Sequence, residues 1–233
     1  MHLSMNLRLL LFISLLNLFY THSHAQQKAS VKYDYLLYLP KDYGATLKKY
    51  PLVIYLHGGS HKGKDLEKLK GYGLPQLVDQ GEDFNFIIAS PQCPDDKYWS
   101  TENWFDSLHM DLTENYRIDT NRLYVTGISM GGYGAYTVAM DFPGKFAAIL
   151  ALCGGVNDSD TSRICSLKNI PIWTFHGTAD DKIPIRETER IADQLKSCNG
   201  NMKFTRLKNA GHGIEYLYDE KRKIYRWMLK QRK

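Results

Sequence analysis

The sequence predicts a mostly parallel β-sheet covered by helices on both faces, and three observations carry that prediction. Apolar runs alternate with segments of helix-like spacing, the runs end in Gly, Ser or Pro, and no repeat or low-complexity linker breaks the alternation. Runs without a polar alternation suit strands covered on both sides, and strand–helix alternation implies crossover connections between parallel strands. At 233 residues with 43% hydrophobic and 12% aromatic residues, the chain has the apolar mass for one sizeable core.

The N-terminal residues stand outside that pattern. Arg8 is followed by the apolar run LLLFISLLNLF, and Ser23-His24-Ala25 places small residues where a leader is cut. This predicts a secretory signal over residues 1–25 and a single domain over 26–233, secreted or periplasmic. A membrane anchor is the competing reading, but Asn17 interrupts the run and it falls short of the roughly 20 apolar residues that span a bilayer. No stable membrane insertion is expected. Export makes disulfides permissible for Cys93, Cys153, Cys165 and Cys198, in any of three full pairings. Their spacing contains no C-x-x-C, which argues against a zinc centre.

Along the remaining chain YDYLLYLP, PLVIYLHGG, FNFIIASPQ, RLYVTGIS, FAAILALCGG, PIWTFHG and MKFTRLKNAGH read as strands. DSLHMDLTENYR, GGYGAYTVAMDF and RETERIADQLKS between them read as helices. The tail KRKIYRWMLKQRK carries Ile224, Trp227 and Met228 at helical spacing, predicting a terminal helix with that face on the core and its cations near the C-terminal dipole end. The net charge of +5 does not by itself point to nucleic acid, and no nucleic-acid partner is expected. In parallel sheets, sites form at the carboxyl ends of strands, so the glycines and polar residues after each run mark where chemistry can sit.

One such junction is Gly127-Ile128-Ser129-Met130-Gly131, where a strand runs into a helix. The G-x-S-x-G spacing fits a nucleophile on a sharp turn: side chains two positions either side of Ser129 would collide with backbone, and the helix N-terminus behind it favours developing negative charge. A serine nucleophile needs a base and the base needs an orienting acid, in the order serine, acid, histidine for this kind of turn. Only His176 and His212 follow Ser129; His212 lies between glycines in NAGHGIEY and follows every acid of the preceding loop, so it is the expected base. In HGTADDKIP Asp180 is the favoured acid, with Asp181 as the alternative and Asp158 or Asp160 as a third choice.

The oxyanion of an acyl-transfer intermediate needs two donors. The backbone N–H of Met130 is one expectation, and Gly59 in LHGGSHKGKD is the other, with Ser60 as alternative. His57 and His61 stand at i and i+4, but the glycines between them argue against the helix a metal pair would require. Tyr98, Trp99, Trp104 and Phe105 leave the strand FNFIIASPQ, and Trp104 is expected to line the substrate pocket beside Ser129. The competing reading buries these rings in the core.

Taken together, HGGS, SPQCP, RLYVTGISMGGYGAY, FAAILALCGG, IPIWTFHGTADDKIP and AGHGIEY resemble a secreted α/β-hydrolase of the carboxylesterase group. The nearest resemblance is to its carbohydrate-esterase, feruloyl-esterase and polyhydroxybutyrate-depolymerase-like branch, over about Tyr33 to Trp227. It implies an α/β-hydrolase fold without a large lid, Ser129, Asp180 and His212 as catalytic residues, and Gly59 with Met130 at the oxyanion hole. It further implies hydrolysis of carboxylic esters, small or polysaccharide-linked and of short-acyl or hydroxycinnamoyl type, with no metal or organic cofactor. A serine peptidase of the prolyl-oligopeptidase type and a noncatalytic module of the same fold are the alternatives.

Overall fold

The computed structural model describes residues 31–219 and 221–233; the expected leader over residues 1–25 lies outside the described residues. Among the described residues, seven strands form one sheet in the order β1-β3-β2-β4-β5-β6-β7. They are β1 Tyr35–Tyr38, β2 Tyr50–Leu56, β3 Ile87–Pro91, β4 Ile118–Ile128, β5 Ala148–Leu152, β6 Ile172–Gly177 and β7 Lys203–Leu207. Only β1 runs antiparallel, against β3; the other pairings are parallel. Every strand read from the sequence is therefore present.

Among the described residues, five α-helices, α1 Gly73–Asp79, α2 Phe105–Asn115, α3 Met130–Asp141, α4 Arg186–Ser197 and α5 Lys221–Leu229, cover the sheet. Strand side chains alternate between two cores. Leu52, Ile54 and Leu56 of β2, with Ile149 and Ala151 of β5, pack beneath α2, α3 and α4. Val53 and Tyr55, with Ala148 and Leu150, pack beneath α1 and α5. Burial on both faces is why these strands read as unbroken apolar runs. In α5, Ile224 and Met228 are buried and Trp227 packs against the second core, as its spacing predicts.

Helix α1 and several 3-10 turns escape the sequence reading, being too short to show a period. The connection between β5 and β6, 153–171, contains the 3-10 segment Asp158–Leu167, which a Cys165–Cys198 disulfide ties to the end of α4. That segment lies against the body of the domain and forms no lid. Cys93 and Cys153 are free and buried. No helix among the described residues is long and apolar enough to cross a membrane.

Candidate active site

Ser129 occupies the junction of β4 and α3 with φ 57 and ψ −119, a conformation that side-chain-bearing residues rarely adopt. Its neighbours make the turn possible. A Cβ on Gly131 would lie 1.9 Å from the Leu56 carbonyl oxygen, and one on Gly127 would lie 2.2 Å from the Gly131 oxygen. The Ser129 N–H donates to Leu152 O at 2.9 Å, which anchors the turn to β5. Met130 is the first helical residue, so its N–H has no acceptor within the helix.

His212 reaches Ser129 from the loop after β7. Its Nε2 lies 2.9 Å from Ser129 Oγ, and its Nδ1 lies 2.8 Å from Asp180 Oδ2. Backbone pairing brings the two loops together: Ala179 N–H donates to Ala210 O at 2.9 Å and Thr178 N–H to Leu207 O at 2.9 Å. Asp180 is held in turn by the N–H groups of Lys182 and Ile183, both 2.9 Å from Oδ1. Burial raises its pKa, but donation from Ile183, His212 and Lys182 outweighs that and holds the carboxyl below its ordinary value.

The competing acids lie elsewhere. The Asp181 side chain is 73% exposed beside Lys182, Asp158 pairs with Arg190 and Asp160 with Arg163. His176, the other histidine after Ser129, is fully buried. Its ring bridges Thr188 Oγ1 at 2.7 Å and Ile183 O at 2.8 Å, and its Nε2 lies 3.4 Å from Asp180 Oδ2, so it props the acid's loop.

The loop after β2 passes beside the nucleophile, with Gly58 so placed that a Cβ on it would lie 3.5 Å from Ser129 Cβ. Its conformation is held by side chains that sequence reasoning left unassigned. His57 Nε2 accepts from Cys93 N–H at 3.0 Å, which leaves Nδ1 as the protonated nitrogen, donating to Gly58 O at 2.7 Å. Because the peptide is trans, fixing the Gly58 carbonyl turns the Gly59 N–H the opposite way. Gly58 N–H is already committed to Tyr72 Oη at 2.8 Å, and Trp99 Nε1 donates to His57 O at 3.1 Å. Gln92 Nε2 donates to His61 O and Asp65 O, which accounts for a buried polar side chain directly after β3. Both His57 nitrogens are thus engaged with backbone and take no part in a metal pair with His61. Burial pushes the His57 pKa down to about 4, so the ring is neutral near pH 7.

Trp104 does not line the site. It is 2% exposed, its Nε1 donates to Trp99 O at 2.9 Å, and its ring stacks on Tyr33 and meets Trp99 and Phe105 edge-on. The expectation of a pocket wall is corrected: Trp104 directly precedes α2 and turns inward because the core beneath it offers apolar area and a carbonyl for the indole N–H. Of the aromatic residues on that segment, Tyr98 is the one that remains open, 61% exposed under the Lys62 ammonium.

Comparisons with known proteins agree with this architecture. Residues 100–221 match the phospholipase/carboxylesterase family. A bifunctional acetylxylan esterase/xylanase of Neocallimastix patriciarum is 34% identical over 86 residues, 37% of this chain and 12% of that protein. A probable feruloyl esterase C of Aspergillus terreus is 28% identical over 183 residues, 72% of this chain and 62% of the relative. The chain therefore spans less than two thirds of either relative's length. The crystal structure of a thermostable esterase superposes with a TM-score of 0.73 at 28% identity, covering 90% of this chain and 63% of that one.

Proposed function

The chain belongs to the phospholipase/carboxylesterase family, and from that premise we propose that it is a serine hydrolase cleaving carboxylic esters through an acyl-enzyme. The observation that carries this reading is His212, hydrogen-bonded to Ser129 through one ring nitrogen and to Asp180 through the other. His212 Nε2 takes the Ser129 proton as Oγ attacks the ester carbonyl, and Asp180 stabilises the imidazolium. The N–H groups of Met130 and Gly59 receive the oxyanion, the first at a helix N-terminus, the second turned out by the His57–Gly58 hydrogen bond. The imidazolium then protonates the leaving alcohol, and water attacks the acyl-enzyme by the same route.

The substrate class we propose is short-acyl or hydroxycinnamoyl esters of carbohydrate. Support comes from relatives named for acetylxylan and feruloyl esters, and from a site in which Ser129, Met130 and His212 are all partly exposed. An open site suits a polymer-attached ester better than a long alkyl chain. Export is part of the proposal, supported by the leader-like N-terminus and by the disulfide, which persists in oxidising compartments.

A panel of acetyl, feruloyl and palmitoyl esters with matching amides tests the reading. Acetyl or feruloyl esters are expected to give the highest kcat/KM, amides little turnover, and Ser129→Ala and His212→Ala losses of about 10⁴- to 10⁶-fold. Near-normal activity in either variant overturns the acyl-enzyme; a palmitoyl preference overturns the substrate class.

A further inference from the structure

Beneath the Asp180–His212 pair lies a thiol that acyl transfer does not use. Cys153 follows β5 in a left-handed conformation, φ 39, and is fully buried. Its Sγ lies 3.7 Å from His212 O. One ligand atom each from Cys153, Asp180 and His212 lies within 4.8 Å of the others. From this juxtaposition we propose that Cys153 Sγ, an Asp180 carboxylate oxygen and His212 Nδ1 form an inhibitory site for a thiophilic divalent cation of the Zn²⁺ type.

Thiolate, imidazole and carboxylate are the donor set that Zn²⁺ selects. Tetrahedral zinc with bonds of about 2.0–2.3 Å places its ligand atoms roughly 3.3–3.6 Å apart. The Asp180–His212 contact at 2.8 Å must therefore open slightly and the thiol close in. The Ala210–Gly211 backbone is packed against Gly177 and paired with Ala179, so this adjustment falls to the His212 side chain, which is partly exposed. The His212 side chain is 26% exposed while that of Asp180 is covered, so the ion enters from the histidine side. A water completes the tetrahedral shell.

The proton balance explains the inhibition. Binding releases the Cys153 thiol proton to solvent. The Nδ1 proton of His212 leaves to make room for the metal, and Nε2 takes one up from solvent. His212 then donates to Ser129 Oγ where it previously accepted, and the serine has lost its base. That inhibitory consequence rests on the proposed acyl-transfer reading; cation binding itself does not.

Two measurements on the full chain separate the two. Titrating Co²⁺ into Ser129→Ala protein with its Cys165–Cys198 disulfide intact should produce a thiolate-to-cobalt charge-transfer band, kept when Cys93→Ser is added and lost when Cys153→Ser or Cys153→Ala is added. Zn²⁺ should inhibit ester hydrolysis by the unmodified enzyme reversibly, with activity restored by a chelator. In Cys153→Ser, folded by thermal melt and active, the inhibition constant should rise at least ~10- to 100-fold, the loss that removing a mere supporting partner brings. Absence of the band, its loss with Cys93 in place of Cys153, or equal inhibition of both proteins overturns the site. A band at Cys153 in a chain that hydrolyses no ester would uphold the site and sink the acyl-transfer reading instead.

Discussion

Both carboxylate oxygens of Asp180 face His212 Nδ1, Oδ2 at 2.8 Å and Oδ1 at 3.0 Å, while Oδ1 also accepts the backbone N–H groups of Lys182 and Ile183. The acid is thus locked by main chain before it orients the ring. Asp180→Asn should lower kcat on an aryl acetate by about 10⁴-fold, because an amide neither stabilises the imidazolium nor enforces the tautomer. Asp181→Asn, at a 73% exposed side chain, should leave kcat within a few-fold. The reverse ranking would move the acid to Asp181.

Burial of His57 makes stability depend on pH. Its folded pKa of about 4 lies below the ordinary histidine value of 6.5, so between those values the unfolded chain binds the extra proton and stability falls as pH falls. The contribution is fully present above about pH 6.5, and about 3 kcal/mol of it is lost by pH 4. Urea unfolding across this window should show a shallower pH slope in His57→Gln than in the unmodified protein. Parallel slopes would mean that the ring protonates without cost.

Two glycines near Ser129 should behave oppositely. Gly131→Ala drives a methyl group to 1.9 Å from Leu56 O, whereas a Cβ on Gly59 meets nothing within 4 Å. Gly131→Ala should cost about 3 kcal/mol or more, at the upper end of overpacking, and abolish turnover. Gly59→Ala should melt within a degree or two of the parent. A well-folded, active Gly131→Ala would contradict the tight turn.

Trp104→Ala should destabilise by about 3–5 kcal/mol, as for other large buried aromatics, without reordering kcat/KM among acetyl, feruloyl and palmitoyl esters. Tyr98→Ala, at an exposed ring, should change stability by no more than about 0.5 kcal/mol. Chemical denaturation and the ester panel read both effects. A reordered ester ranking in a stable Trp104→Ala protein would return that ring to the substrate site.

The sequence alone determined the strand–helix alternation and the elbow. Period and continuity of apolar residues are local properties, and the G-x-S-x-G spacing records a steric demand within one turn: Gly127 and Gly131 are where a Cβ would strike backbone. Chain order then narrowed the base to His212 and favoured Asp180 as the acid, ahead of Asp181 and of Asp158 or Asp160. What only the tertiary structure shows is how the acid is presented: the Ala179–Ala210 pairing turns Asp180, and not its exposed neighbour Asp181, toward His212. The disulfide pairing is likewise a matter of which distant segments meet, the connection after β5 and the end of α4. Trp104 escaped sequence reasoning because an aromatic at a strand exit has the same signature whether it faces substrate or core. His57, Tyr72 and Trp99, which shape the loop bearing Gly59, act through hydrogen bonds to backbone far along the chain. Such bonds leave no periodic trace in a sequence, since each depends on where the sheet brings two loops side by side.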